Sequence, residues 1–368
     1  VYLFLIGFFI RFLLTIINLF YFPVPGGEYD ALKFHNEAVI YKNYLSGFTG
    51  SYDYQLGWLY SHFLGVIYFL FGDSIVLGSA LSSIAWLLSA LILRSTLINL
   101  NVKNQQIIIA LILYTFVFPI SVLYTSFMLR EVYMLLFINT IIYLIVKIDL
   151  NEKKILMNIF YGLILIFVTS ILVFFHRSNI IFIISFIPLI FICYVIYKFK
   201  SKLINLNLII IVILLLSLAI YRDIFEKIFN TIYFYQLGHF DIFDPFRADY
   251  YNYEEHSKLE YSFLVFITHV VKNIYNYHFQ PTIFKVSNLA DLIAMYENII
   301  RLSMIFFVIF KFNKVFDKKY LFFVIFLIMI LMETIYAQAT VNWGSASRHH
   351  VPIIGLIILM LFFPERNK

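Results

Sequence analysis

Carboxylates that can accept a proton, and guanidinium and imidazole groups that can hold a phosphate, occur at a few places in this 368-residue chain, each at the edge of an apolar run. The first is residues 23–37, PVPGGEYDALKFHNE. If the stretch from Asp30 is helical, Asp30, Lys33 and Glu37 share one face just beyond a Gly-rich turn, with His35 on the same stretch. A carboxylate near an apolar interface can have a raised pKa and take a proton from an incoming hydroxyl, which is general-base work. A solvated, helix-capping carboxylate is the plainer reading of the same spacing.

Four further places are basic or mixed. Arg130-Glu131 closes one apolar run and opens the next. An Arg there either anchors by snorkelling or presents a fork that suits a phosphate. His176-Arg177 sits in a very short break between two runs. In residues 288–301, NLADLIAMYENIIR, Glu297 and Arg301 stand four apart at the start of an apolar run, as a mutually neutralised pair or as part of a pocket. Residues 342–352, NWGSASRHHVP, place Arg348, His349 and His350 together before the last run. Two adjacent His on a helix point to different faces and no third ligand is evident, so phosphate fits this place better than zinc. Cys193 is the only cysteine, which excludes a disulfide framework and a Cys-based metal site.

These residues are positioned by helices in lipid. The chain is 62% hydrophobic and 13% charged, against about 45–50% and about 25% for a soluble domain. A soluble core cannot absorb that much apolar side chain, and runs of this length in lipid must be helical. The spacing predicts an all-α bundle of ten crossings, at residues 1–21, 75–98, 106–126, 132–148, 156–175, 179–197, 203–221, 295–311, 320–337 and 351–363. Two shorter or more polar runs, 56–72 and 261–277, are read as helices lying on the membrane surface. The chain opens on an apolar run holding Arg11 with no small-residue cleavage site, which predicts a retained first helix; the missing Met suggests a trimmed N-terminus. Residues 1–221 read as an N-terminal membrane module with its outer loop at 22–74, 222–294 as a second outer loop, and 295–368 as the last membrane helices, with no separate soluble domain.

The positive-inside rule orients the bundle. With both termini cytoplasmic, the short Lys-rich connections around Lys103, Lys153, Lys200 and Lys318 all fall inside. The net charge of +6 is therefore a topology signal and not one for nucleic acid. Asp30, Arg130, His176, Arg177, Glu297 and Arg348 then share the outer side. A base for an acceptor hydroxyl together with cations for a departing phosphate is what a transferase using a lipid-linked phosphosugar needs.

This arrangement resembles the GT-C superfamily of membrane glycosyltransferases. The resemblance rests on the Glu28 and Asp30 carboxylates after the first helix, and on residues 54–72, YQLGWLYSHFLGVIYFLFG, similar to the family's juxtamembrane helix ending in a Phe-Gly turn. It rests also on the run from Ala110 through Pro119 to Arg130-Glu131. It covers roughly the first 200 residues, and where many members have Asp this chain has Arg130-Glu131. The resemblance implies an inverting transfer from a polyprenyl-phosphate-linked donor to a glycan or lipid-linked acceptor. Asp30 would be the base, and Arg348 with Arg130 or Arg177 would grip the phosphate; a divalent metal is left open. The Ser347-to-Pro352 segment and the long second loop are more similar to exopolysaccharide and O-antigen assembly proteins, polymerases included. A lipid or glycan transporter is the reading from another class, and it would place ionisable groups near the bilayer midplane.

Overall fold

The computed structural model describes residues 2–24, 27, 29–49, 52, 59–150, 155–175, 263–312, 315, 319–338, 340 and 343–365. Among these residues every regular element is a helix. Seven helices are long and apolar enough to cross a membrane: Tyr2–Phe20, Ile75–Asn99, Glu131–Leu150, Leu156–Phe175, Leu289–Lys311, Tyr320–Gln338 and Trp343–Leu361. The chain is a polytopic helical membrane protein. The expected crossings at 179–197 and 203–221 lie outside the described residues.

In chain order the helices are α1 (Tyr2–Phe20), α2 (Tyr29–Leu45), α3 (Leu59–Phe71), α4 (Ile75–Asn99), α5 (Asn104–Ile112), α6 (Pro119–Ser126), α7 (Glu131–Leu150) and α8 (Ile155–Phe175). Then come α9 (Phe263–Phe279), α10 (Leu289–Lys311), α11 (Lys319–Gln338), α12 (Trp343–His350) and α13 (Ile354–Leu361). Two expectations change. The run at 106–126 is not one straight helix: a π turn over Leu113–Val117 leads to a break, and α6 leaves it bent by 71°. Pro119 is the cause, since it lacks the N–H and its ring collides with the carbonyl four residues back, while its fixed φ suits the first position of a new helix. The last crossing also starts earlier than residue 351, because Trp343–His350 is helical rather than a turn.

The described chain groups into two compact units. The first holds Val1–Ile180, Ser303–Ile325 and Arg348–Lys368; the second holds Ile181–Leu302 and Phe326–Ser347. In the first unit α4 carries buried Ser79, Ser82, Ser83 and Ser89, small residues that let neighbouring membrane helices approach closely. Asn139 of α7 donates to Ser89 Oγ at 2.7 Å and to the Tyr114 hydroxyl at 3.3 Å, which ties α4, α7 and the π turn together. At 13 residues α3 is too short to cross the hydrocarbon, and it packs against α2. A Cβ on Gly65 would come within 2.8 Å of the Ala38 carbonyl, so that close contact depends on glycine.

In the second unit polar side chains join the helices. Asn273 of α9 donates to Gln338 of α11 at 2.9 Å, and the Trp343 indole donates to Asp291 of α10 at 2.7 Å. At 17 residues, with His269, Asn273, Asn276 and His278 on it, α9 is not among the seven crossing helices.

Candidate functional site

The first unit has two chemically different ends. At one, α1 finishes and α2, α4 and α7 begin; at the other, α4 and α7 finish at Asn99 and Leu150. The candidate site lies at the first end and draws on three distant parts of the chain. Asp30 is in the first turn of α2, Glu131 opens α7, and Arg348 is in the last turn of α12. A carboxylate in a first turn and a cation in a last turn each match the helix dipole.

One guanidinium joins them. Arg348 Nη1 donates to Asp30 Oδ2, and Arg348 Nε lies 3.0 Å from Glu131 Oε1. Arg130 Nε approaches the same Glu131 oxygen at 3.6 Å, and its guanidinium faces the Phe34 ring at 5.6 Å. The four charges thus alternate: Asp30, Arg348, Glu131, Arg130. Glu131 is wholly buried, whereas Asp30 retains 39% side-chain exposure. Neither oxygen of Glu131 accepts a hydrogen bond among the described residues, so its contacts with the two arginines are ionic. The floor beside this chain of charges is aromatic. Phe34 meets Tyr60 edge-on at 5.0 Å, and Tyr60 contacts Tyr133 at 5.2 Å and Phe175 at 5.9 Å.

Chemically, the partly exposed Asp30 is the group that can meet an incoming hydroxyl, and Arg348 and Arg130 are the groups that can meet an anion. Glu131 was expected among the phosphate contacts, but a buried carboxylate repels phosphate. Its place between two guanidinium groups makes it the residue that holds them.

The other expected residues divide. Lys33 is exposed on α2. His35 turns to α3, where its Nδ1 lies 3.0 Å from the Tyr68 hydroxyl. Burial holds the His35 imidazole below its ordinary pKa, with the Asp73 charge opposing that shift. Tyr68 also donates to Met128 Sδ at 3.1 Å, which links α3 to the turn before Arg130. Asp73 accepts from Lys42 Nζ at 2.6 Å, a contact that holds its carboxyl below the usual range. His349 and His350 are buried in α12. Glu28, His176 and Arg177 lie outside the described residues.

Glu297 and Arg301 belong to the second unit and are buried in α10. Arg301 donates to Asn298 at 3.1 Å, and Asn298 donates to the Gln280 carbonyl at 2.6 Å. The buried Glu333 of α11 belongs to the same unit, and its carboxylate and the His278 imidazole bring ligand atoms within 4.8 Å. An imidazole and a carboxylate supply two of the three protein ligands that a catalytic zinc site requires.

Asn18 and Glu333 escaped the reading of the sequence, and Arg11 entered it only as part of the first apolar run, not as a candidate. All are polar groups inside apolar runs, and that isolation was the available signal. Arg11 is fully buried in α1. Its guanidinium lies 3.5 Å from the Trp86 ring centroid, and Nε donates to Thr125 at 2.7 Å at the end of α6. One turn later Thr15 donates to the Ser126 carbonyl at 2.7 Å, satisfying a group that the end of α6 leaves open. The end of α6 is therefore fixed four residues before Arg130. No protein-family model, curated protein or solved structure matches this chain.

Proposed function

We propose that the chain is an integral membrane glycosyltransferase of GT-C type. It moves a sugar or glycan from a polyprenyl (pyro)phosphate to an acceptor hydroxyl during surface polysaccharide or glycoconjugate assembly. Its membrane is a bacterial-type cytoplasmic membrane, with both termini cytoplasmic and the Asp30–Arg348 end on the outer face. The observation that carries this reading is one guanidinium shared between a partly exposed carboxylate and a buried one at the end of a membrane bundle.

In the resting arrangement Arg348 neutralises Asp30. An arriving phosphate competes for Arg348 and, with Arg130 beside it, forms charge-assisted contacts to the guanidinium groups. Asp30 is thereby released to accept the proton of the acceptor hydroxyl. The acceptor oxygen forms its bond to the anomeric carbon as the bond from that carbon to the phosphate oxygen breaks. The electron pair leaves with the phosphate, where the guanidinium groups stabilise it. Glu131 keeps both arginines in place. Asp30→Asn abolishes transfer from a purified lipid-linked donor while the variant still binds that donor; turnover retained in Asp30→Asn removes Asp30 from the mechanism. Product length separates a single-sugar transferase from a polymerase, since a ladder of products marks the latter.

A transporter is the second reading, and Glu297, Arg301 and Glu333, buried in membrane-length helices, are the observation that favours it. Flux of a labelled lipid-linked glycan across vesicles holding the purified protein, in the absence of any acceptor, would support it over the transferase.

A further inference from the structure

Where α1 ends and α2 and α4 begin, the first unit has an open cavity of about 350 Å³. Asn18, Leu19 and Phe20 of α1, Ala31 and Leu32 of α2 and Ile75 of α4 line it, together with the turn that follows α1. Three observations bear on what it takes. First, α1 has 19 residues, and at about 1.5 Å per residue it spans roughly the hydrocarbon thickness of a bilayer. The cavity at its end therefore lies where hydrocarbon meets headgroup. Second, among the described residues Asn18 and Tyr21 are the only lining side chains with a polar atom. Asn18 is committed to the turn, since its Oδ1 accepts from the Val24 N–H at 2.8 Å and its Nδ2 donates to the Gly27 carbonyl at 3.4 Å. A Cβ on Gly27 would come within 2.5 Å of Asn18 Oδ1, so the wall is closely fitted. The exposed rings of Phe20, Tyr21 and Phe22 form an apolar rim of the interfacial kind. Third, Ala31 of the lining and Asp30, whose carboxylate Arg348 holds, are consecutive residues in the first turn of α2, so the cavity wall and the charged cluster share one helix end.

We infer that this cavity seats the hydrocarbon chain of the lipid-linked phosphate, so that the first carbons of the chain lie along α1 and α2 when the phosphate meets Arg348. The inference rests on the transferase reading above and adds the site for the lipid portion.

The test uses the full-length protein in nanodiscs with two probes, a short-chain polyprenyl monophosphate and inorganic phosphate. Leu32→Trp and Ile75→Trp fill the cavity from two helices. Each is expected to weaken polyprenyl phosphate binding about tenfold, the loss of burial of roughly two methylenes, and to leave inorganic phosphate binding unchanged. Arg348→Gln is expected to weaken both probes. A polyprenyl phosphate with a diazirine in its first isoprene unit reports on the wild-type protein, so the test does not depend on the variants folding. Adducts within residues 18–32 or at Ile75 support the site. Adducts elsewhere, adducts competed away equally by ordinary phospholipid, or tryptophan variants that bind polyprenyl phosphate like wild type overturn it. Wild-type protein that binds no polyprenyl phosphate at all overturns the transferase reading itself.

Discussion

The two ends of the first unit hold their charges in opposite ways. At the site end two carboxylates and two guanidinium groups share one cluster, and Glu131 is completely buried in it. At the other end the cations that tie helix ends together are lysines. Lys147 donates to Asn99 at 3.1 Å, Lys311 donates to the Leu361 carbonyl at 2.6 Å and lies 3.6 Å from Glu365, and Tyr320 donates to Asp149. These contacts fasten helix ends to one another, with the lysines near helix C-termini. Arginine can be shared between two carboxylates because its fork is planar and wide, whereas an ammonium is a single point of charge. The contrast teaches that the lysines of one end fasten helix ends, whereas the arginines of the other are held by carboxylates, one of them buried.

The largest break in this contrast should come from Glu131→Gln. It leaves Arg348 and Arg130 without their buried counter-charge, and removing one partner of a buried ionic cluster costs about 3–5 kcal/mol. Thermal unfolding in detergent should drop accordingly; a loss under about 1 kcal/mol would mean that Glu131 does not anchor the arginines. Next is Arg348→Lys, which retains the charge but cannot reach Asp30 and Glu131 with separate nitrogens. Phosphate-probe affinity should fall by roughly 10- to 100-fold, the value of one charge-assisted hydrogen bond, and titration calorimetry would read it.

A pH scan sharpens the contrast further. Because burial depresses the His35 pKa in the folded protein, the unfolded chain takes up a proton first as pH falls. The neutral imidazole's contribution is complete above the unfolded value of about 6.5 and is lost as pH falls through the lower folded value. Proteolysis of the α2–α3 layer should therefore accelerate below about pH 6, and His35→Gln should flatten that response. The smallest effect is expected from Lys147→Ala, at most about 1 kcal/mol in unfolding, as for other ion contacts near a surface. A loss as large as that of Glu131→Gln would erase the distinction between the ends.

The helices were largely legible because length and apolarity are local properties of the chain. Asp30, Arg130 and Arg348 were legible as candidates because each ionisable group interrupts or borders an apolar run. Their pairing was not: Asp30 and Arg348 are 318 residues apart, and helical spacing carries no information about which helix ends meet. The role of Glu131 was hidden for the same reason, since burial between two arginines depends on α7 and α12 together. Pro119 was in plain view within the 106–126 run, but hydrophobicity outweighed it until the bend became visible. Arg11 and Glu333 lie within membrane-length helices.

Arg11 has a consequence for how the protein is made. A guanidinium halfway along the first helix costs about 2.5–3.5 kcal/mol when that helix enters the bilayer by itself. Besides the Gly7 carbonyl of its own helix, which accepts from Arg11 at 3.0 Å, its contacts are Trp86 on α4 and Thr125 on α6, both synthesised later. The contacts of Arg11 with Trp86 and Thr125 form only once α4 and α6 have been made, so the attachment of α1 is expected to firm at that point. Carbonate extraction of nascent chains truncated after α1 and after α6 should show loose attachment in the first and firm attachment in the second. Arg11→Leu should remove the difference.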